Sequence, residues 1–162
     1  MNLKNLLNKK RNAIVAKWFE RVLETYPLEM QGFFRQQGDR FANPVGSTIF
    51  SGLEGLLTEL LGKGDYEKTR SLLDGILRIR AIQDFSPSQA VVFLPRLKGV
   101  LKEEIGEEVR QNRLQEEWLE LESRIDDFLL LAFDIYMECR EKIHQLRNQE
   151  LRSRAAFPSP RS

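Results

Sequence analysis

Between Ile76 and Leu94 the chain carries a corner that dictates two helices and the break between them. Ser86 is a good N-cap, Pro87 suits the first helical position because its missing N–H is needed by nothing there, and Gln89 falls at N3. Together they spell a capping box. A residue before proline is pushed out of the α region, so the preceding helix must end near Asp84. On that helix Leu72, Ile76, Ile79 and Gln83 share a face, with Leu73 and Arg80 beside it. Asp84 follows Arg80 at i+4, which gives two readings: an ion pair that steadies the corner, or a polar spot lining a pocket or a partner surface. The pattern around the corner is helical throughout.

The rest of the chain repeats that helical spacing. Leu3, Leu7, Ile14, Trp18 and Val22 predict a first helix over about Leu3 to Thr25, ended by Pro27. Its polar face carries Lys4, Lys9, Lys10, Arg11, Lys17 and Arg21 against Glu20 alone, and reads as a solvated face or a weak anionic-surface patch. A short helix is predicted over Leu28 to Arg35, then a break at Gly38-Asp39. Asn43 and Pro44 start the next helix, in which Gly46, Gly52 and Gly55 point to close packing of a neighbour. Gly62-Lys63-Gly64 ends it, and Asp65 caps the helix that leads into the corner.

After the corner the pattern runs to about Ile105, with Pro95 expected to kink its interior. Glu103, Glu104, Glu107 and Glu108 around Gly106 repel at helical spacing and read as a solvated turn, with calcium binding the alternative. Last comes a helix from about Gln111 to Glu150. Its seam of Leu114, Trp118, Leu121, Ile125, Phe128, Ala132, Ile135 and Cys139 advances in steps of four and three. Leu129, Leu130, Leu131, Phe133, Tyr136 and Met137 make the middle of that helix apolar nearly all round, which calls for neighbours on several sides. Some forty residues of helix span ~60 Å, longer than a domain of this size is wide. The overhang predicts packing against a second copy. The expected fold is therefore an all-α, single-domain bundle of about five to six helices over residues 1–150, with a flexible tail over residues 151–162.

Composition narrows function mainly by exclusion. A net charge of +1 argues against a chain that seeks nucleic acid in general. The single cysteine, Cys139, allows no internal disulfide and fits a reducing compartment; within the seam it reads as a core residue. The first residues contain no uninterrupted apolar stretch of the kind a secretory leader needs, and the run Phe128 to Phe133 is too short to span a bilayer. A cytoplasmic location is expected. The lone histidine, His144, forms a single E-x-x-H with Glu141, where a di-iron site needs two such motifs and further carboxylates. It is poorly positioned for haem, and no phosphate-loop, dinucleotide, zinc-protease or nucleophile-elbow motif occurs. No catalytic, cofactor-binding or metal-ligating residue is nominated. The candidate ligand or partner site is Arg80, Gln83, Asp84, Gln89 and Pro95.

Three stretches carry a family resemblance: Arg40-Phe41-Ala42-Asn43-Pro44-Val45-Gly46, Gly52-Leu53-Glu54-Gly55-Leu56, and Ile79 through Ala90. They resemble the RsbRD-type N-terminal domain, the sensory domain of RsbT co-antagonist proteins, over roughly Leu6 to Arg147. The resemblance implies a cytoplasmic bacterial stress-signalling module, all-helical and non-catalytic, that binds a partner or a small-molecule signal. Related domains of that class are dimeric and globin-like without haem. Family members of stressosomes carry a C-terminal STAS domain with phosphorylatable threonines. This chain stops after its long helix and is expected to act as a stand-alone sensor or adaptor, a homodimer joined along its terminal helices. The alternative from another class is a cofactor-binding redox or gas sensor.

Overall fold

The computed structural model describes residues 1–36 and 43–156. Among the described residues eight helices form and no strand does: α1 Leu3–Lys9, α2 Arg11–Leu23, α3 Leu28–Arg35, α4 Pro44–Leu61, α5 Tyr66–Ile82, α6 Pro87–Val91, α7 Phe93–Gln111 and α8 Gln115–Ala156. The all-α bundle with a long terminal helix is as expected. The count is higher because two predicted helices are each divided. Lys10 leaves helical geometry between α1 and α2, with φ −103° and ψ 12°. Val92 divides α6 from α7. Pro95 lies in the first turn of α7, and Val92, three residues before it, keeps right-handed helical geometry at φ −60° and ψ −22°, so the expected interruption falls in the turn that precedes the proline, where its missing N–H is tolerated. The predicted break at Gly38-Asp39 lies outside the described residues, as does Phe157–Ser162 of the tail. Residues 151–156, expected to belong to that tail, continue α8.

Starts and stops follow local chemistry. Asn43 accepts from the Gly46 N–H and Asp65 from the Lys68 N–H, so α4 and α5 are both side-chain capped. Within α4, Gly52 and Gly55 are places of close approach. A Cβ on Gly52 would lie 2.9 Å from Ile76 Cδ1, and one on Gly55 2.8 Å from Leu72 Cδ2. Side chains of α5 therefore fill the space that these glycines leave empty. One apolar core includes Trp18, Phe19, Ile49, Leu53, Leu56, Leu77, Phe93, Leu97, Ile125 and Tyr136, all buried. In it α5 packs on α4 and α8, while α7 packs on α2 and α8.

The acidic turn expected near Gly106 does not form. Helix α7 runs unbroken through it to Gln111. The basic face of the first helical segment is not simply solvated either, because the two faces meet. Lys10 pairs with Glu108 at 2.7 Å, Lys17 with Glu103 and Glu104 at 3.2 and 2.9 Å, and Arg21 with Glu103 at 3.2 Å. Opposite charges from another helix offset the i,i+4 repulsion that made the segment look unsuited to a helix.

Helix α8 is 42 residues long. Leu121, Ile125, Ala132, Ile135, Tyr136 and Cys139 are buried along it. Beyond Arg147 every described residue of α8 is exposed. Leu130, Phe133 and Met137, on the side away from the core, are 66%, 46% and 42% exposed. No helix among the described residues is long and apolar enough to cross a membrane.

Candidate functional site

Helix α5 buries Thr69, Leu73, Ile76, Leu77, Arg80 and Ala81. That stripe is rotated from the predicted one, and Arg80 stands within it instead of beside it. The rotation follows from two neighbours: α4 takes up Leu72 and Ile76, and α8 covers the adjoining face. Arg80 is fully buried.

No carboxylate among the described residues pairs with it. The predicted Arg80–Asp84 pair does not form, because α5 ends at Ile82 and Asp84 enters left-handed geometry with φ 59°. Asp84 then lies on the surface, where its Oδ1 accepts from Arg147 at 3.4 Å. The helix end is a Schellman closure: the Asp84 N–H donates to the Ala81 carbonyl and the Phe85 N–H to the Arg80 carbonyl, each at 3.1 Å. Such closures commonly bring an apolar pair together across the last turn. Here the pair is Arg80 and Phe85, with the guanidinium carbon 4.7 Å from the ring centroid.

Two more rings complete an aromatic box around the charge, Tyr26 at 5.5 Å and Phe93 at 5.7 Å. Desolvated cation–π contacts of this kind contribute about 2 kcal/mol or more. Arg80 Nη1 donates to Thr25 Oγ1 and to the Gln89 carbonyl, both at 3.2 Å. Nε and Nη2 are buried and have no acceptor among the described residues. Burial lowers the guanidinium pKa, opposed by Tyr26 and Tyr136. Burial also raises the Tyr26 pKa, against the pull of Arg80 and of the hydrogen bond to Gln83.

Of the five candidate residues, three meet here. Arg80 is the centre, the Gln89 backbone accepts from it, and Gln83 Oε1 accepts from the Tyr26 hydroxyl at 2.9 Å. The Gln89 side chain completes the predicted capping box, its Oε1 accepting from the Ser86 N–H at 3.1 Å. Asp84 turns outward, and Pro95 is exposed on α7. Sequence reasoning did not assign Thr25, Tyr26, Phe85 or Phe93 to the site. Three of these are aromatic, the residue type a buried guanidinium without a carboxylate calls for, but their positions are scattered along the chain. Tyr136, from α8, donates its hydroxyl to the Phe85 carbonyl and ties the corner to the long helix. Cys139 is buried, and burial with Asp74 nearby raises its pKa, so it lacks thiolate character.

Residues 12–151 match the family model described as the RsbT co-antagonist protein rsbRD N-terminal domain. The chain belongs to that family. It is one of regulatory signalling domains, and the match takes in the whole corner and most of α8. An uncharacterized protein of Archaeoglobus fulgidus is 26% identical over 145 residues, covering 86% of this chain and 83% of its own length. No solved structure matches.

Proposed function

We propose that this RsbRD-type domain is a non-catalytic sensor or adaptor that acts by binding a ligand or a protein at the corner between α5 and α6, and that works as a homodimer along α8. The observation that carries this reading is the buried Arg80, which pairs with no carboxylate among the described residues. A guanidinium with two N–H-bearing nitrogens lacking acceptors is a poor choice for stability, since apolar groups of similar volume often serve a core as well or better. Its place fits regulation, because the corner is tied to the turn after α2 through Thr25 and to α8 through Tyr136. A change there reaches the helix that projects beyond the bundle. Leu130, Phe133 and Met137 offer α8 an apolar face for a second copy.

Native mass spectrometry of the full chain tests this. The expected result is a dimer, either with releasable extra mass, which favours a ligand sensor, or bare, which favours a protein-docking adaptor. A bare monomer would overturn the dimeric reading of α8.

A further inference from the structure

A cavity of about 100 Å³ lies beside the corner, between the end of α5 and α8. Its walls include Phe85, Asp84, Arg140, His144 and Arg147. Phe85 belongs to the aromatic box as well, so the cavity and the buried Arg80 share a wall. We propose that this cavity is a binding site for a small oxyanion, which displaces Asp84 from Arg147 and reaches Arg80 when the Phe85 ring rotates. This rests on the regulatory reading above and gives its ligand a chemical class.

The charge balance favours an anion. Arg140 and Arg147 line the cavity and Arg80 stands behind Phe85, against the single carboxylate of Asp84. Arg140 has no ion-pair partner within 4.0 Å among the described residues. The Arg147–Asp84 contact is long, at 3.4 Å, and exposed on both sides, so it holds weakly and a better acceptor replaces it. Guanidinium groups offer paired N–H donors matched to the oxygens of phosphate and carboxylate.

Size limits the choice. The cavity is small, which suits a compact anion such as phosphate or a short carboxylate. Only the Phe85 side chain has to turn, because its backbone is held at both ends, N–H to Arg80 and carbonyl to Tyr136. An oxyanion that reached Arg80 would supply acceptors for Nε and Nη2, the two groups now without them. It would also fasten the corner to α8 at Arg140 and Arg147, just where the overhang begins.

Thermal unfolding of the full chain, followed by circular dichroism at constant ionic strength, tests the site with inorganic phosphate and acetate as separate probes replacing chloride. The expected result is a saturable rise in Tm with at least one of them. The surface double variant Arg140→Gln/Arg147→Gln should weaken that binding roughly tenfold or more, as loss of charge-assisted hydrogen bonds does. Asp84→Asn, which tolerates the same left-handed backbone, should tighten it. Phosphate also stabilises proteins generally by exclusion from their surfaces, without saturation and without regard to these arginines. A rise that is unsaturable, or equal in the double variant, overturns the proposal. The dimer and any bound mass seen by native mass spectrometry do not depend on that outcome. A saturable, arginine-dependent response from a bare monomer would keep the anion site and remove the dimeric reading.

Discussion

Helices α5 and α7 end in the same way and are sealed differently. At the end of α5, Asp84 takes the left-handed position at φ 59°, and the Phe85 N–H reaches back to the Arg80 carbonyl. At the end of α7, Arg113 takes it at φ 55°, and the Leu114 N–H reaches back to the Val109 carbonyl at 2.9 Å. The second closure brings together Val109 and Leu114, both buried, in the apolar pairing such motifs favour. The first brings together Arg80 and Phe85. Because Val and Leu close one end, the backbone does not require a charge at the other. The guanidinium in the α5 corner therefore answers to something other than helix termination.

The largest expected effect comes from breaking the apolar end. Leu114→Ala removes a buried side chain and should lower stability by about 2–5 kcal/mol in urea denaturation. At the other end, Arg80→Met should go the opposite way, raising stability by about 1–4 kcal/mol if the buried charge is as ill-matched to its surroundings as its missing acceptors indicate. The same variant should lose the anion response, and a marked destabilisation would show that the aromatic box outweighs the desolvation of the charge. Arg113→Gly relieves left-handed strain and should add about 1 kcal/mol. Asp84→Gly should add less, since aspartate accepts that geometry more readily.

The smallest effect concerns the charged seam between α2 and α7. Hydrogen bonds from Lys17 and Arg21 depress the Glu103 pKa, and one from Lys10 depresses that of Glu108. A carboxylate with a folded pKa below its unfolded value contributes stability above the unfolded value and loses it as pH falls through the folded one. Tm should therefore decline as pH drops below the ordinary carboxylate range. Glu103→Gln should flatten the decline, and added salt should weaken it because these groups are exposed. An unchanged pH profile in Glu103→Gln would show that this seam does not stabilise the fold.

The corner itself was legible in the sequence because its parts are neighbours in the chain. The Ser86–Gln89 capping box and the Asn43 and Asp65 caps depend on residues three apart, and each forms as read. The glycines of α4 were also readable, as small residues inside an apolar helix. The Arg80–Asp84 pair was not, because an i+4 contact presumes a helix that continues. Here the closure turns Asp84 outward after Ile82.

Sequence by itself determined the all-helical class, most helix ends and the family, since periodicity and capping are local properties that survive without the rest of the chain. Tertiary structure decided which side of α5 is buried, and with it the fate of Arg80. It brought Tyr26, Phe85 and Phe93 around one guanidinium from separate segments. It also set the acids of α7 against Lys10 and the bases of α2, allowing a helix where local repulsion indicated a turn. In both cases the deciding energies come from groups far apart in the chain, and a local pattern contains no record of such partners.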